Sequence, residues 1–276
     1  MTARSSVPAA ALRAALDRYR AALADVPVRT LLLEHSHLPG PRGNLELAAL
    51  FAEEVAERAA QEPAPWWDLC AALAALSARR APSNDPGEFV AFCGTVGAAA
   101  VACVAEERTG AALELAVAAA SDPRWRLLEA APTSLQRLLM ARRAPTLAAL
   151  ERLARHGRPL ELRAVIAAVA EPAVIAVPEL ADAAVALHRD VLARFLASRT
   201  RSSRAMRTLR QGLGYSLSVV TTARPEEGFT LVRELIDRPD ADAHWIAREN
   251  LRKARLRKRY PDRVTELLER LESAPG

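Results

Sequence analysis

The feature that most constrains this chain is an internal echo. Asp122-x-x-Trp125-x-x-x-Glu129 returns as Asp242-x-x-Trp245-x-x-x-Glu249, 120 residues later. That interval is three times 40, and arrays of helical repeats use periods of about 40–47 residues. Two further units then belong between the copies. Arg163 in Leu160-Glu161-Leu162-Arg163 and Arg207 in Arg204-Ala205-Met206-Arg207 fall near the expected places, at spacings made uneven by turn insertions. A unit of this length cannot bury its apolar face alone, so neighbouring units stack and share a core.

The motif has a physical reading. Asp122 and Asp242 stand where an N-cap belongs, with Pro123 at a first helical position. Trp125 and Trp245 are expected to wedge against a neighbouring helix pair as structural residues. Glu129 and Glu249, one turn on, share the Trp face and can bond a neighbouring Arg. The rest of the chain agrees with helices. Val264, Leu267, Leu268 and Leu271 form an i, i+3, i+4, i+7 stripe behind Pro261 and Asp262. Leu12, Leu16, Tyr19 and Leu23 form a similar stripe near the start. Breaks recur every 15 to 20 residues, at Pro39-Gly40, Pro63, Pro82 to Gly87, Pro123, Pro145, Gly157 to Pro159, Pro225 and Pro239. Alternation of period two is nearly absent. Apolar residues make up 51% but aromatics only 4%, and the excess is Ala and Leu, which favour helix over strand.

These features predict an all-α fold, an α-α superhelix of about six or seven helix pairs. Residues 1–276 are expected to be a single helical-repeat domain, less regular over 1–110 and regular over 111–276. Five segments add a resemblance: residues 38–47, 89–94, 121–126, 209–215 and 245–253. Through them the chain resembles the bacterial HEAT/armadillo-type helical-repeat proteins, and within these a broad group with no common known task. The resemblance covers most of the chain and implies a HEAT-like solenoid. It implies little about function, because such repeats serve many unrelated roles.

The charge balance is +5, with a sequence pI near 9.6, which mildly favours an anionic partner. Cys70, Cys93 and Cys103 lie in apolar helical stretches and read as small buried hydrophobes, neither disulfides nor zinc ligands. The longest uninterrupted apolar run, Ala98 to Ala105, falls short of the roughly 20 residues of a membrane span. The first residues carry no secretory pattern, so a cytoplasmic location is expected.

Two constellations stand out. Arg248, Arg252, Lys253, Arg255, Arg257, Lys258, Arg259 and Arg263 crowd the C-terminal part, and Arg199, Arg201, Arg204, Arg207 and Arg210 form a run upstream. Carried on adjacent repeats they would make a phosphate-tracking surface, or a solvated terminal cap. Arg204, Arg207, Arg210, Arg248, Arg252 and Lys253 are the expected contacts. Tyr215 and Tyr260 are too few for a single-strand reader. The second constellation comes from a more distant resemblance, to the HEAT-like alkylpurine DNA glycosylases. Their site pairs a Trp with an acidic residue one turn apart, then an Arg on the next repeat and a second Trp beyond. This implies a pocket of Trp125, Glu129 and Arg163. The third place holds Arg204, which removes one aromatic wall for a cationic base.

His35 and His37 lack a third ligand and read as a surface loop; His244 is expected to be exposed at a helix start. Trp66 and Trp67 are expected to anchor a helix start in the core. Glycine-rich phosphate loops, nucleophile elbows and HExxH pairs are absent from the sequence. The functional expectation is a non-enzymatic scaffold binding a macromolecule on its concave face, a protein first and nucleic acid as the alternative, with neither metal nor cofactor.

Overall fold

The structure, a computed structural model, describes residues 9–273. The reading of the extreme N-terminus rests on residues outside that range. Among the described residues the chain is all-helical, without strands. It divides into two compact units that meet in chain order at Thr146 and Leu147.

The first unit holds α1 (Ala9–Ala22), α2 (Val26–Glu34), α3 (Leu45–Ala59), α4 (Pro63–Ala74), α5 (Pro86–Val104), α6 (Thr109–Ala120), α7 (Trp125–Ala141) and the first turn of α8 (Arg143–His156). The second holds the rest of α8, then α9 (Pro159–Val169), α10 (Pro172–Ile175), α11 (Pro178–Ala197), α12 (Arg204–Ala223), α13 (Pro225–Ile236), α14 (Ala241–Leu251), α15 (Ala254–Arg259) and α16 (Pro261–Ser273). Pro63, Pro86, Pro159, Pro172, Pro178, Pro225 and Pro261 each open a helix, where the missing N–H costs nothing and the fixed φ suits the first turn. The sequence breaks therefore mark real boundaries. Leu23 is a departure: it lies beyond the end of α1 at φ 52° and is exposed, because the helix stops at Ala22, one residue before the stripe does.

Long-range bonds show how the helices stack inside each unit. Glu88, Thr95 and Ala102 of α5 bond Arg126, Ser134 and Arg142, at separations of 38, 39 and 40 residues. Both series rise together, so α5 and α7 run parallel. Arg13, Asp17 and Arg20 of α1 meet Glu54, Arg58 and Glu62 in the same sense, 41 to 42 residues on. In the second unit Asp182 and Arg189 of α11 meet Arg224 and Glu234. Arg210, Leu213 and Ser218 of α12 meet Asp242 and Asn250 of α14. Glu226 and Asp237 meet Arg263 and Arg270 of α16. Parallel partners recur in both units at separations of 32 to 45 residues, across one intervening helix or, between α13 and α16, two.

α5 is the core of the first unit. It packs on α3, α4, α6 and α7 and is buried on nearly every side. Gly94 permits its closest approach: a β-carbon there would lie 2.3 Å from the Ala74 backbone nitrogen. By length and composition α5 is apolar enough to cross a membrane, and 89% of the qualifying window is buried in the protein. The sequence expectation of no such segment is corrected here. Counting only uninterrupted apolar residues passed over a helix whose interruptions are Gly94, Thr95 and Gly97. Trp66 and Trp67 sit in the core as expected, with Trp66 tilted against Tyr19 at 5.6 Å. Cys70 and Cys93 are fully buried, and burial pushes both thiols well above their ordinary range. Cys103 is only part-buried, near the Arg137 carbonyl.

Candidate functional site

The second unit carries a basic face built by α12, α14 and α15. Residues 199–259 hold fifteen Lys and Arg against seven Asp and Glu, more than the +5 of the whole chain. On α12, Arg204, Arg207, Gln211 and Tyr215 are exposed and fall at i, i+3, i+7 and i+11, one outward stripe. The opposite stripe, Met206, Leu209, Leu213 and Leu217, is buried. Arg210 and Gly214 lie on the flank toward α14, and Gly212 on the flank toward α9, where a β-carbon would come within 3.3 Å of Arg163 and Ile166. On α14, Trp245 and Arg248 lie on one row, which Arg252 continues just past the helix end.

Salt links sort the cations of this face into two kinds. Arg210 Nη1 bonds Asp242 at 2.5 Å and its guanidinium stacks 4.3 Å from the Trp245 ring centroid. Gly214 makes room for that ring, since a β-carbon would sit 2.8 Å from Trp245 Cζ3. Arg201 joins Asp240 and Asp242. Burial pushes the Asp240 carboxyl upward, but Arg201 and two backbone N–H groups outweigh it and hold the group below its ordinary range. Arg252 and Lys253 reach Glu249 at 3.5 and 3.6 Å. Among the described residues Arg204, Arg207 and Arg248 have no carboxylate partner; Arg207 Nη1 donates to the Ser202 carbonyl. The expected contacts thus divide into Arg204, Arg207 and Arg248, which are available, and Arg210, Arg252 and Lys253, which are already paired.

Tyr215 joins this face in a way the sequence reading missed. Its ring is 50% exposed and lies under Arg255 at 4.6 Å and Lys253 at 5.8 Å, and Arg255 Nη2 donates to its hydroxyl at 2.7 Å. The two segments are 40 residues apart, so only the repeat period could have flagged the pairing.

The recurring motif is corrected in several places. Asp122 and Asp242 are not N-caps. The cap of α14 is Asp240, whose Oδ1 accepts from the N–H groups of Asp242 and Ala243. Asp242 lies inside the helix, which frees its carboxylate for Arg210 and Arg201. α7 begins at Trp125, and Asp122 instead bonds the Arg124 N–H and guanidinium in the preceding turn, so Pro123 stays outside the helix. Trp125 is 46% exposed, and the Arg126 guanidinium lies over its ring at 4.5 Å. Trp245 is half-buried. His244 is buried, its Nε2 bonded to the Ile236 carbonyl at 3.0 Å, because α14 turns it inward against α13.

The residues of the glycosylase-type pocket stand as follows. Trp125 and Glu129 lie one turn apart on α7 in the first unit, and Arg163 lies on α9 in the second. Arg126 sets a positive charge against one face of Trp125, where a cationic base would be repelled.

Arg126 itself closes a buried node that joins residues 38–47 to residues 121–126 through Glu88. Its Nη1 bonds Glu88 Oε2 at 2.8 Å and its Nη2 the Gly40 carbonyl at 2.6 Å. Glu88 also accepts from the N–H groups of Arg126 and Asn84. Arg124 donates to the carbonyls of Leu76 and Ala81. This node fixes the loops before α3, α5 and α7 at one end of the unit. His35 and His37 belong to the first of these loops, with His37 exposed. Groups of three or more His, Cys, Asp or Glu able to hold a metal are absent among the described residues.

In the second unit His188 is fully buried, its Nδ1 and Nε2 bonded at 2.8 Å to the Ala184 carbonyl and Ser216 Oγ. Burial pulls its pKa down to about 4. A neutral imidazole beside a buried hydroxyl joins α11 to α12. An open groove of about 820 Å³ between α1, α3 and α4 is lined by Arg13, Asp17, Glu54, Arg58 and Trp66, whose charges answer one another in ion pairs.

Compared with known protein families and with curated proteins, the chain matches none.

Proposed function

We propose that this chain is a non-enzymatic helical-repeat scaffold of HEAT/armadillo type that holds an anionic macromolecule on the α12–α14–α15 face. The repeat reading is supported by the parallel helix partners about 40 residues apart in each unit. The functional reading is carried by one observation. Arg204, Arg207 and Arg248 stand exposed or half-exposed without carboxylate partners on a face whose acids are already engaged by Arg201, Arg210, Arg252 and Lys253. Arginine that served only to solvate an end helix would not require neighbouring carboxylates to be neutralised by other cations. Binding here is multivalent contact along preformed helices, with little ordering cost because Arg210 and Arg255 are already held on aromatic rings.

The test is fluorescence anisotropy with two labelled polyanions, an acidic peptide and an oligonucleotide, at about 50 and 200 mM salt. Binding of either that is lost in the Arg204→Glu, Arg207→Glu, Arg248→Glu triple variant supports the scaffold reading. Failure of both probes to bind at the lower salt overturns it.

A further inference from the structure

Resting on that reading, we infer that the partner of the basic face is a nucleic acid, gripped by its phosphodiester backbone without base readout. Three observations favour this over an acidic protein. The first is the absence of an apolar centre. Stable protein interfaces concentrate aromatic and apolar residues at the middle and deplete charge there. Among the described residues the large exposed hydrophobics are Leu23, Val26, Leu45, Val104, Trp125, Met140 and Tyr215, and only Tyr215 belongs to the second unit. Its ring is occupied by Arg255 and Lys253, so it stiffens cations and offers no greasy anchor.

The second observation is regularity. Arg204 and Arg207 are about one turn apart on α12, and Arg248 lies about one turn before Arg252, itself paired to Glu249, at the end of α14. The two helices are parallel neighbours, at a distance of roughly 8–10 Å. Charges about one turn, ~5.4 Å, apart on parallel helices can each meet a phosphate of a strand whose charges recur every ~3.4 Å along its axis, about one cation to 1.6 phosphates. An acidic peptide has no such fixed spacing. The third is side-chain type. The free cations of α12 and α14 are arginines, whose planar forks bind phosphate oxygens in pairs. Arg255 is held over Tyr215 with one nitrogen committed to the hydroxyl, which leaves its other donors available.

The experiment uses the full chain and three labelled probes: a 20-nucleotide single strand, the corresponding duplex, and a polyglutamate peptide of matched charge. The expected result is binding of at least one oligonucleotide that weakens roughly 10²- to 10³-fold between about 50 and 200 mM salt, as five or so phosphate contacts require. Single strand and duplex both carry the backbone, and their relative affinity shows which form the two rows fit. In the Arg204→Ala, Arg207→Ala, Arg248→Ala variant the slope of log K against log salt on duplex should fall by about 2.7. Far-ultraviolet circular dichroism and melting confirm that this variant is folded. Scrambling the oligonucleotide sequence should leave affinity unchanged. Polyglutamate binding with neither oligonucleotide bound overturns the nucleic-acid inference and leaves the scaffold reading standing. Silence from all three probes overturns both.

Discussion

At the residue scale the protein hides its most consequential charges. Glu88 and Arg126 are both buried and satisfy each other at 2.8 Å. Removing Arg126 leaves a buried carboxylate with only the N–H bonds of residues 126 and 84, and breaking a buried pair in this way costs about 3–5 kcal/mol. Chemical denaturation of Arg126→Met should show that loss; a change below about 1 kcal/mol would remove the node from the list of structural determinants. The two motif tryptophans should part company in the same assay. Trp125→Ala removes a half-exposed ring and should cost no more than about 1 kcal/mol. Trp245→Ala removes a ring wedged against Gly214 and stacked by Arg210, and should cost about 2 kcal/mol or more.

His188 adds a pH dependence whose sign is fixed by its burial. Its pKa is about 4 in the folded chain against about 6.5 when unfolded. The unfolded chain therefore takes up a proton first as pH falls. The stability associated with neutral His188 is fully present above pH ~6.5, declines between ~6.5 and ~4, and falls no further below that. The span of about 2.5 units corresponds to about 3 kcal/mol. Urea unfolding at pH 7 and pH 4.5 should reveal most of this difference in the native chain. His188→Gln should flatten that part of the profile. A native profile already flat over this window would refute the assignment.

At the scale of elements, close helix approach decides where substitutions hurt. Gly94 lets α5 lie against the backbone of α4, and a β-carbon there would meet backbone, which cannot swing aside. Gly94→Ala should lower stability by about 1–3 kcal/mol or more, although Ala is the better helix former. Gly110, in the first turn of α6, has open space at its β position. Gly110→Ala should raise stability by up to about 1 kcal/mol, and opposite signs in one melting experiment separate packing from propensity. The elements themselves were the legible part of the sequence, because Pro at N1 and apolar spacing are local signals. Cap positions were less so: Asp240 and Asp242 are both capping residues by type, and two residues decide which carboxylate meets N–H groups and which meets Arg210. α5 obscured itself in another way, since a helix buried all round has no polar face from which a period can be read. The Tyr215–Arg255 and Glu88–Arg126 pairs join segments about 40 residues apart, beyond any local rule.

At the scale of the whole molecule, the cations do two kinds of work. In the first unit Arg13 meets Glu54, Arg58 meets Asp17, Arg20 meets Glu62 and Arg126 meets Glu88, each pair joining two segments of the fold. In the second unit Arg204, Arg207 and Arg248 tie nothing to a carboxylate. The consequence is a dissociation between folding and charge. Replacing Arg13, whose partner Glu54 is buried at the foot of the α1–α3 contact, should destabilise the fold, because a nearly buried carboxylate then keeps only Arg58. Replacing Arg204, Arg207 and Arg248 together should move the melting temperature little, since exposed charges without partners contribute within about ±0.5 kcal/mol each. Removing three like charges from one face can even stabilise the fold slightly by relieving repulsion. Melting curves at about 50 and 200 mM salt decide the point. The triple variant should match or exceed the native chain at the lower salt, with the difference shrinking at the higher as the charges are screened. A melting point that falls sharply at both salts would mean that these arginines hold the second unit together, and the basic face would then be part of the fold.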